Sequence, residues 1–543
     1  MDICLILFVI NIPSLYAFKC GADKMTHIKV TKVPATIKNK ENRKLSTEYQ
    51  PIQIKYDYTY LDSQSKDAST VSLVKSLLEQ TTAYFQKILS VKHEDYNFTA
   101  PDYSELCQIS KISDDTKNWS DKYDLVIIPY FSDNIDASVQ AAASPCVVTE
   151  SNVPKVGVMM LNPNLAYNKQ NYEKYFLALF LHEISHIMIY HTYFFTSFDL
   201  FDEKVENNEV IYYINSRKVV EKAKLHFQCD TLEGIPLENQ GGDGTAGTHW
   251  EARYMLGDYM ISIDYPEIVI SDISLALFED SGIYKVNYYT GGLFRFGKGE
   301  GCEFFSSKCI INQVTPFLNE FCSDTNAKCT TSHLSRGYCY KVKFTKEIDQ
   351  NYRYFSDKYV GGFELADFCP VSFEYNAGNY NKELLSTYYF PLNCVYGEPG
   401  KDSQYGEVVG NNSLCFESSL VPNSATQNTY QSICYKVSCD KSSRNLIVYI
   451  GNSIIRCPKE GGKIENPDGY NGIINCPDYN LVCTSQTWCN DMLDCIDKGA
   501  VADEDSYSYD YDLPYEVESL VDDHSQIIHN LYYLLFLLII VLF

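Results

Sequence analysis

Twenty cysteines in 543 residues constrain this chain more than any other feature, because of where they fall. Seventeen lie from Cys146 to Cys495, with Cys107 just ahead and only Cys4 and Cys20 earlier. Spacings such as Cys302/Cys309, Cys322/Cys329, Cys434/Cys439 and Cys483/Cys489/Cys495 read as a disulfide framework, which requires an oxidising compartment. Zinc knuckles are the rival reading. They are disfavoured because the region has no CxxC pair and no Cys/His cluster at zinc-finger spacing. With Cys4 and Cys20 set aside, eighteen cysteines remain, enough for up to nine bridges whose connectivity stays open.

The start of the chain fits that compartment. Cys4 to Ala17 is a short apolar run ending in a small residue, followed at once by polar sequence. It predicts a signal peptide over 1–17, since a membrane span needs about 20 apolar residues. Its removal discards Cys4 and leaves an odd number of cysteines, with Cys20 the isolated one. Sequons at Asn97, Asn118 and Asn411 are expected on glycosylated surface loops. The net charge of −25 argues against a nucleic-acid partner, because phosphate binding needs clustered Lys and Arg.

The length predicts two or three domains, and 45% hydrophobic content is enough for real cores. Residues 18–50 are polar and basic, with a Lys- and Arg-rich stretch at 38–44, and are expected to be a flexible, processed propeptide. Ile52, Ile54, Tyr56, Tyr58 and Tyr60 alternate like a strand, and Val71 to Ile88 has helical spacing. Leu125–Pro129 and Val156–Leu161 are buried-strand runs, and Tyr172–Tyr190 is a long buried helix without Gly or Pro. The predicted class is α+β. An α/β subdomain carrying that helix spans 51–300, and a disulfide-rich, loop- and strand-rich region follows over 301–498.

Residues 499–530 are acidic, tyrosine-rich and without Lys or Arg, and read as an exposed stalk. The last thirteen residues, 531–543, are all apolar. As a helix they would span only about 20 Å of a ~30 Å membrane core. A polar spacer before such a tail predicts a GPI-attachment signal, with Ser519, Asp522 or Ser525 as attachment residues, over a short transmembrane tail.

Inside the long helix sits His182–Glu183–Ile184–Ser185–His186. Residues four apart share a helix face, so both imidazoles can reach one Zn²⁺ while Glu183 reaches its water instead of the metal. Chance is the bland alternative, with a solvated helix carrying His/Glu pairs. The flanks Phe176–Leu181 and Ile187–Ile189 oppose it, since they bury the segment and buried His and Glu need partners. A catalytic zinc needs a third protein ligand. The compact HExxHxxGxxH arrangement is absent, with Ile189 at its glycine and Thr192 at its last histidine. His191 is expected to continue the same helix and to miss the metal. The glycine-rich segment ending in Thr248–His249–Trp250 offers the third ligand instead.

These residues together resemble the leishmanolysin family, the major surface proteases among the metzincins, which split the zinc motif with a long insertion. The resemblance rests on HEISH, then about sixty residues, then GTAGTHWEARYMLGDYM. It continues in SLALFEDSGIYKVNYY (274–289), GCEFFSSKC (301–309), ELADFCP (364–370) and the stretch from Cys457 to Cys483. It implies a metzincin-like catalytic region and one Zn²⁺ per chain on His182, His186 and His249. It also implies Glu183 as general base and Met260 in a methionine turn. The implied activity is cleavage of protein and peptide substrates held along an edge strand, expected in the 154–163 run. Lys19–Cys20–Gly21–Ala22–Asp23 resembles the family's propeptide cysteine motif, with Ala22 in place of its usual His. Cys20 is accordingly expected to act as a cysteine switch on the metal, relieved by cutting near 38–44.

The expected function is a zinc endopeptidase of the secretory pathway, at the cell surface through a membrane anchor or outside the cell. The alternative is an inactive adhesion or binding protein on the same fold, although no ligand or base is missing. A serine hydrolase is disfavoured because no GxSxG elbow is present.

Overall fold

The computed structural model describes Cys20, Met25 and most of residues 28–483; the longest internal stretches outside the description are 38–47, 374–391 and 396–405. The expected signal peptide, the basic stretch 38–44, the sequons at Asn118 and Asn411, Cys489, Cys495, the stalk and the apolar tail all lie outside the described residues. Among the described residues no helix is long and apolar enough to cross a membrane.

A five-stranded mixed sheet organises the first half of the chain. Its strands are β1 (Thr31–Val33), β2 (Ile54–Tyr56), β3 (Leu125–Phe131), β4 (Ala141–Thr149) and β5 (Pro154–Leu161), in the order β1-β4-β5-β3-β2. β2, β3 and β5 run parallel, and β4 runs antiparallel to β5. β2 is shorter than the alternation over 52–60 suggests. The Asp57 carboxylate accepts the Thr59 amide at 3.1 Å and turns the chain into a short helix at Thr59–Asp62. β5 is flanked on both sides, so the 154–163 run is not an edge strand. Its neighbours are β3 and β4, and β1 lies outside β4.

Part of the expected propeptide is built into this sheet rather than flexible. β1 lies along β4 in parallel, with Thr31, Lys32 and Val33 opposite Val147, Val148 and Thr149. Three residues paired with a strand more than a hundred positions away leave no periodic trace in the local sequence. A further strand at Ala35–Ile37 pairs with Tyr96–Phe98, so Asn97 sits on a strand and not in a loop.

Helix α1 (Ala68–Ile88) starts at Asp67, whose carboxylate accepts the Thr70 amide at 2.8 Å and satisfies one of the otherwise unbonded first-turn donors. Helix α2 (Glu173–Met188) lies across the sheet. Gly157 of β5 sets how closely it approaches, because a Cβ there would overlap the Ile187 side chain. Beyond α2 come α3 (Thr192–Ser197), the hairpin β6–β7 (Phe201–Glu206 and Glu209–Ile214), α4 (Arg217–Phe227) and α5 (Asp272–Asp280).

The first hydrophobic core does not stop at residue 300. It includes Phe304, Phe317, Phe321, Leu365 and Val371 together with the residues of the sheet and of α2. A second core lies within an all-antiparallel six-stranded sheet. Its strands are β8 (Ser413–Ser418), β9 (Gln431–Asp440), β10 (Asn445–Ile450), β11 (Ser453–Cys457), β12 (Gly462–Glu465) and β13 (Ile473–Cys476), in the order β11-β10-β9-β8-β13-β12.

Sixteen of the described cysteines form eight disulfides. Cys107–Cys146 pins the segment before β3 onto β4, and Cys229–Cys302 and Cys309–Cys369 tie the later part of the first core. Cys322–Cys339, Cys329–Cys415, Cys394–Cys434, Cys439–Cys483 and Cys457–Cys476 staple the region around the second sheet. The fold is α+β.

Candidate metal centre

His182 and His186 point from one face of α2, and His249 comes from the glycine-rich loop that follows α4. All three are buried. Their Nε2 atoms converge, at 3.0 Å between His182 and His186 and 3.2 Å from His249 to each. Each ring is fixed through its other nitrogen, which meets a backbone carbonyl. His182 Nδ1 is 2.6 Å from Tyr259 O, His186 Nδ1 2.6 Å from Tyr190 O, and His249 Nδ1 2.8 Å from Thr245 O. A carbonyl only accepts, so each Nδ1 carries the proton and each Nε2 presents a lone pair.

Three lone pairs aimed at one point repel one another unless a cation lies between them. Nitrogens 2.0–2.1 Å from a tetrahedral Zn²⁺ lie about 3.3 Å apart, close to the spacing observed. Burial reinforces the neutral form. It pushes the His182 pKa down to about 4 and that of His249 to about 3, the latter helped by neighbouring His182. His186 is driven well below its usual value by burial and by both other histidines. Neutral imidazole is the ligand form, and the donor set fits Zn²⁺.

A fourth donor completes the group. The Cys20 sulfur lies 3.4 Å from His186 Nε2 and 3.8 Å from Glu183 Oε2. The ligand atoms of Cys20, His182, His186 and His249 all fall within 4.8 Å of one another. Cys20 takes part in none of the disulfides.

Glu183 is fully buried, and its Oε1 has no hydrogen-bond partner among the described residues. Burial pushes its pKa up to about 8, against a smaller opposing pull from the Cys20 thiol. A carboxylate in that state is ready to exchange a proton near neutral pH.

The end of α2 explains why the compact motif is not needed. The amides of Ile189 and Tyr190 both turn to Ser185 O, at 2.8 and 2.9 Å, and the helix stops at Met188. Ile189 is not among the residues with positive φ, so the exit requires no glycine. Contrary to the expectation that it continues α2, His191 caps α3, with Nδ1 accepting the Tyr193 amide at 3.1 Å. It stays outside the cluster. The loop that carries His249 does use glycine. Gly247, at φ 81°, lets its amide reach Glu238 O at 2.9 Å, and Glu238 N returns to His249 O at 2.9 Å.

Met260 is buried in the turn after Asp258, with its amide donating to Asp258 Oδ1 at 2.8 Å and its carbonyl accepting the Trp250 amide at 3.0 Å. Residue types and spacing single out the histidines, Glu183, Met260 and Cys20. They do not single out Tyr190, Thr245 and Tyr259, because those act through backbone carbonyls, which every residue possesses.

The family model for leishmanolysin, peptidase family M8, matches residues 64–489. A leishmanolysin homolog of Crithidia fasciculata is 29% identical over 362 residues, covering 64% of this chain and 53% of that protein. Leishmanolysin of Leishmania tropica is 26% identical over 363 residues, covering 64% and 53%. A leishmanolysin-like peptidase of Caenorhabditis elegans is 31% identical over 307 residues, covering 49% and 45%. The chain spans about half the length of the curated relatives it matches. With a match that runs through the helix, the split histidine site and the disulfide-stapled region, this chain belongs to the leishmanolysin family.

Proposed function

We propose that this chain is a zinc-dependent endopeptidase, with one Zn²⁺ held by His182, His186 and His249. The observation that carries the reading is the convergence of three Nε2 lone pairs beside the buried carboxylate of Glu183. Zinc bound there would supply Lewis-acid polarisation of the scissile carbonyl and of the attacking water. Glu183 accepts the proton of that water as its oxygen bonds to the carbonyl carbon. The C–N bond then breaks, and Glu183 delivers the proton to the departing amine nitrogen. Met260 belongs to the turn that supports the imidazoles, as in a metzincin-like site.

An extended peptide would lie along the outer edge of β4, whose backbone groups at Val147–Thr149 already pair with a strand. The described conformation is then the latent one. Cys20 sits where water must bind and β1 occupies the substrate edge, so one cut in 38–44 would release both. Eight disulfides support passage through the secretory pathway. The apolar tail at 531–543 would then be removed as a GPI-attachment signal, and the lipid joined to Ser519, Asp522 or Ser525 would tether the enzyme at the cell surface.

The test is hydrolysis of casein by the processed protein. Activity should vanish with a chelator and return with zinc. Hydrolysis that survives complete metal removal would refute the proposal.

A further inference from the structure

The three imidazoles are aimed by the carbonyls of Tyr259, Tyr190 and Thr245, so the site is only as well formed as those carbonyls are placed. Tyr259 itself, the side chain of Tyr190 and the indole of Trp250 next to His249 all lead to one buried pair, the carboxylate of Asp258 and Ser274. Asp258 is fully buried. Its Oδ1 accepts the Met260 amide at 2.8 Å, its Oδ2 accepts the Ser271 amide at 3.1 Å, and the Ser274 hydroxyl donates to both oxygens at 2.8 Å. Tyr259, whose carbonyl meets His182, lies between Asp258 and Met260 and is clamped from both sides.

Ser274, on α5, extends the network. Its Oγ accepts Trp250 Nε1 at 2.7 Å, and its carbonyl accepts the Tyr190 hydroxyl at 3.1 Å. Trp250 follows His249 directly. Tyr190 carries the carbonyl that fixes His186. The rings of Tyr190 and Trp250 also meet edge to face at 5.8 Å between centroids. Each histidine is therefore one or two hydrogen bonds from the Asp258–Ser274 pair.

We infer that Asp258 and Ser274 are positioning residues of the metal centre, which together fix the orientation of all three imidazoles before the metal arrives. The inference rests on the reading that those histidines hold zinc. Its physical basis is the number of acceptor sites required. Asp258 serves three donors with two acceptor oxygens, which an amide of the same shape cannot do. In Asp258→Asn the NH₂ group faces a donor, and either the Ser271 amide or the Ser274 hydroxyl must turn away. In Ser274→Ala the Trp250 N–H is left buried without its acceptor, a cost the site can relieve only by shifting the indole and, with it, His249.

The experiment uses the full chain with the propeptide removed. It measures zinc affinity by chelator competition, the visible d–d absorption of the Co²⁺-substituted protein, and the melting temperature of the metal-free protein. Asp258→Asn should weaken zinc binding by about 10–100-fold, the usual range for groups that orient metal ligands, and should shift the cobalt bands. Ser274→Ala should move both readouts in the same direction, and it carries the test alone if Asp258→Asn fails to fold. Ile273→Val thins the packing of the same helix at a buried position without touching these hydrogen bonds. It should lower the metal-free melting temperature and leave affinity and cobalt bands unchanged. Zinc affinity within twofold of wild type and an unshifted cobalt spectrum in Ser274→Ala would overturn the inference alone. A wild-type chain that binds no zinc would overturn the metal reading as well.

Discussion

The core that carries the histidine cluster and the core of the six-stranded sheet keep their shape by different means. The first holds the candidate metal centre with backbone carbonyls, a buried carboxylate and close packing, and among the described residues its central sheet carries a single disulfide, Cys107–Cys146. The second is an antiparallel sheet in a region stapled by five disulfides, with no cluster of metal-binding side chains among its described residues. Covalent bridges limit the unfolded chain but do not aim a side chain to a few tenths of an ångström. Hydrogen bonds to fixed carbonyls do. Where chemistry needs aim the chain uses the second device, and where a small sheet needs staying power it uses the first.

That contrast can be broken by experiment. The largest effect should come from Glu183→Ala. Loss of proton transfer should cost about 10²–10⁴-fold in kcat while zinc content stays at the wild-type level, because this carboxylate is not a ligand. Next is latency. Unprocessed Cys20→Ser should be more active than the unprocessed wild type, and a mercurial should activate only the wild type. Equal latency in both would assign inhibition to β1 alone.

Removing Cys457–Cys476 by a double alanine substitution should destabilise the second core by about 2–4 kcal/mol, read by denaturant unfolding, and leave zinc affinity untouched. A change in zinc affinity would show that the two cores are not mechanically separate. Smaller again, Gly157→Ala should cost about 1–3 kcal/mol, the usual range for overpacking. It should also weaken zinc binding, since α2 must lift to clear Ile187. His191→Ala, outside the cluster, should change hydrolysis by less than a factor of two.

The same division explains what could be read from the sequence. α2 and its two histidines are legible because their spacing is local, and His249 because a glycine-rich turn precedes a lone histidine. The class of the fold follows from alternating strand and helix patterns. The strand order does not, since β4 comes to lie between β1 and β5 only through pairings that depend on residues far apart. Val156–Leu161 reads as a strand, but nothing in it tells an edge from a centre. β1 was illegible for the same reason, and the helix end at Met188 because two amides sharing Ser185 O leave no mark in residue type.

The central claim is that three histidines from two distant segments hold one zinc. Metal analysis of the purified, processed protein tests it directly, with His249→Ala alongside. We expect one zinc per chain in the wild type and a large loss in His249→Ala, while His191→Ala retains its metal. A wild-type chain without zinc, or a His249→Ala chain that binds it as tightly as the wild type, would contradict the account.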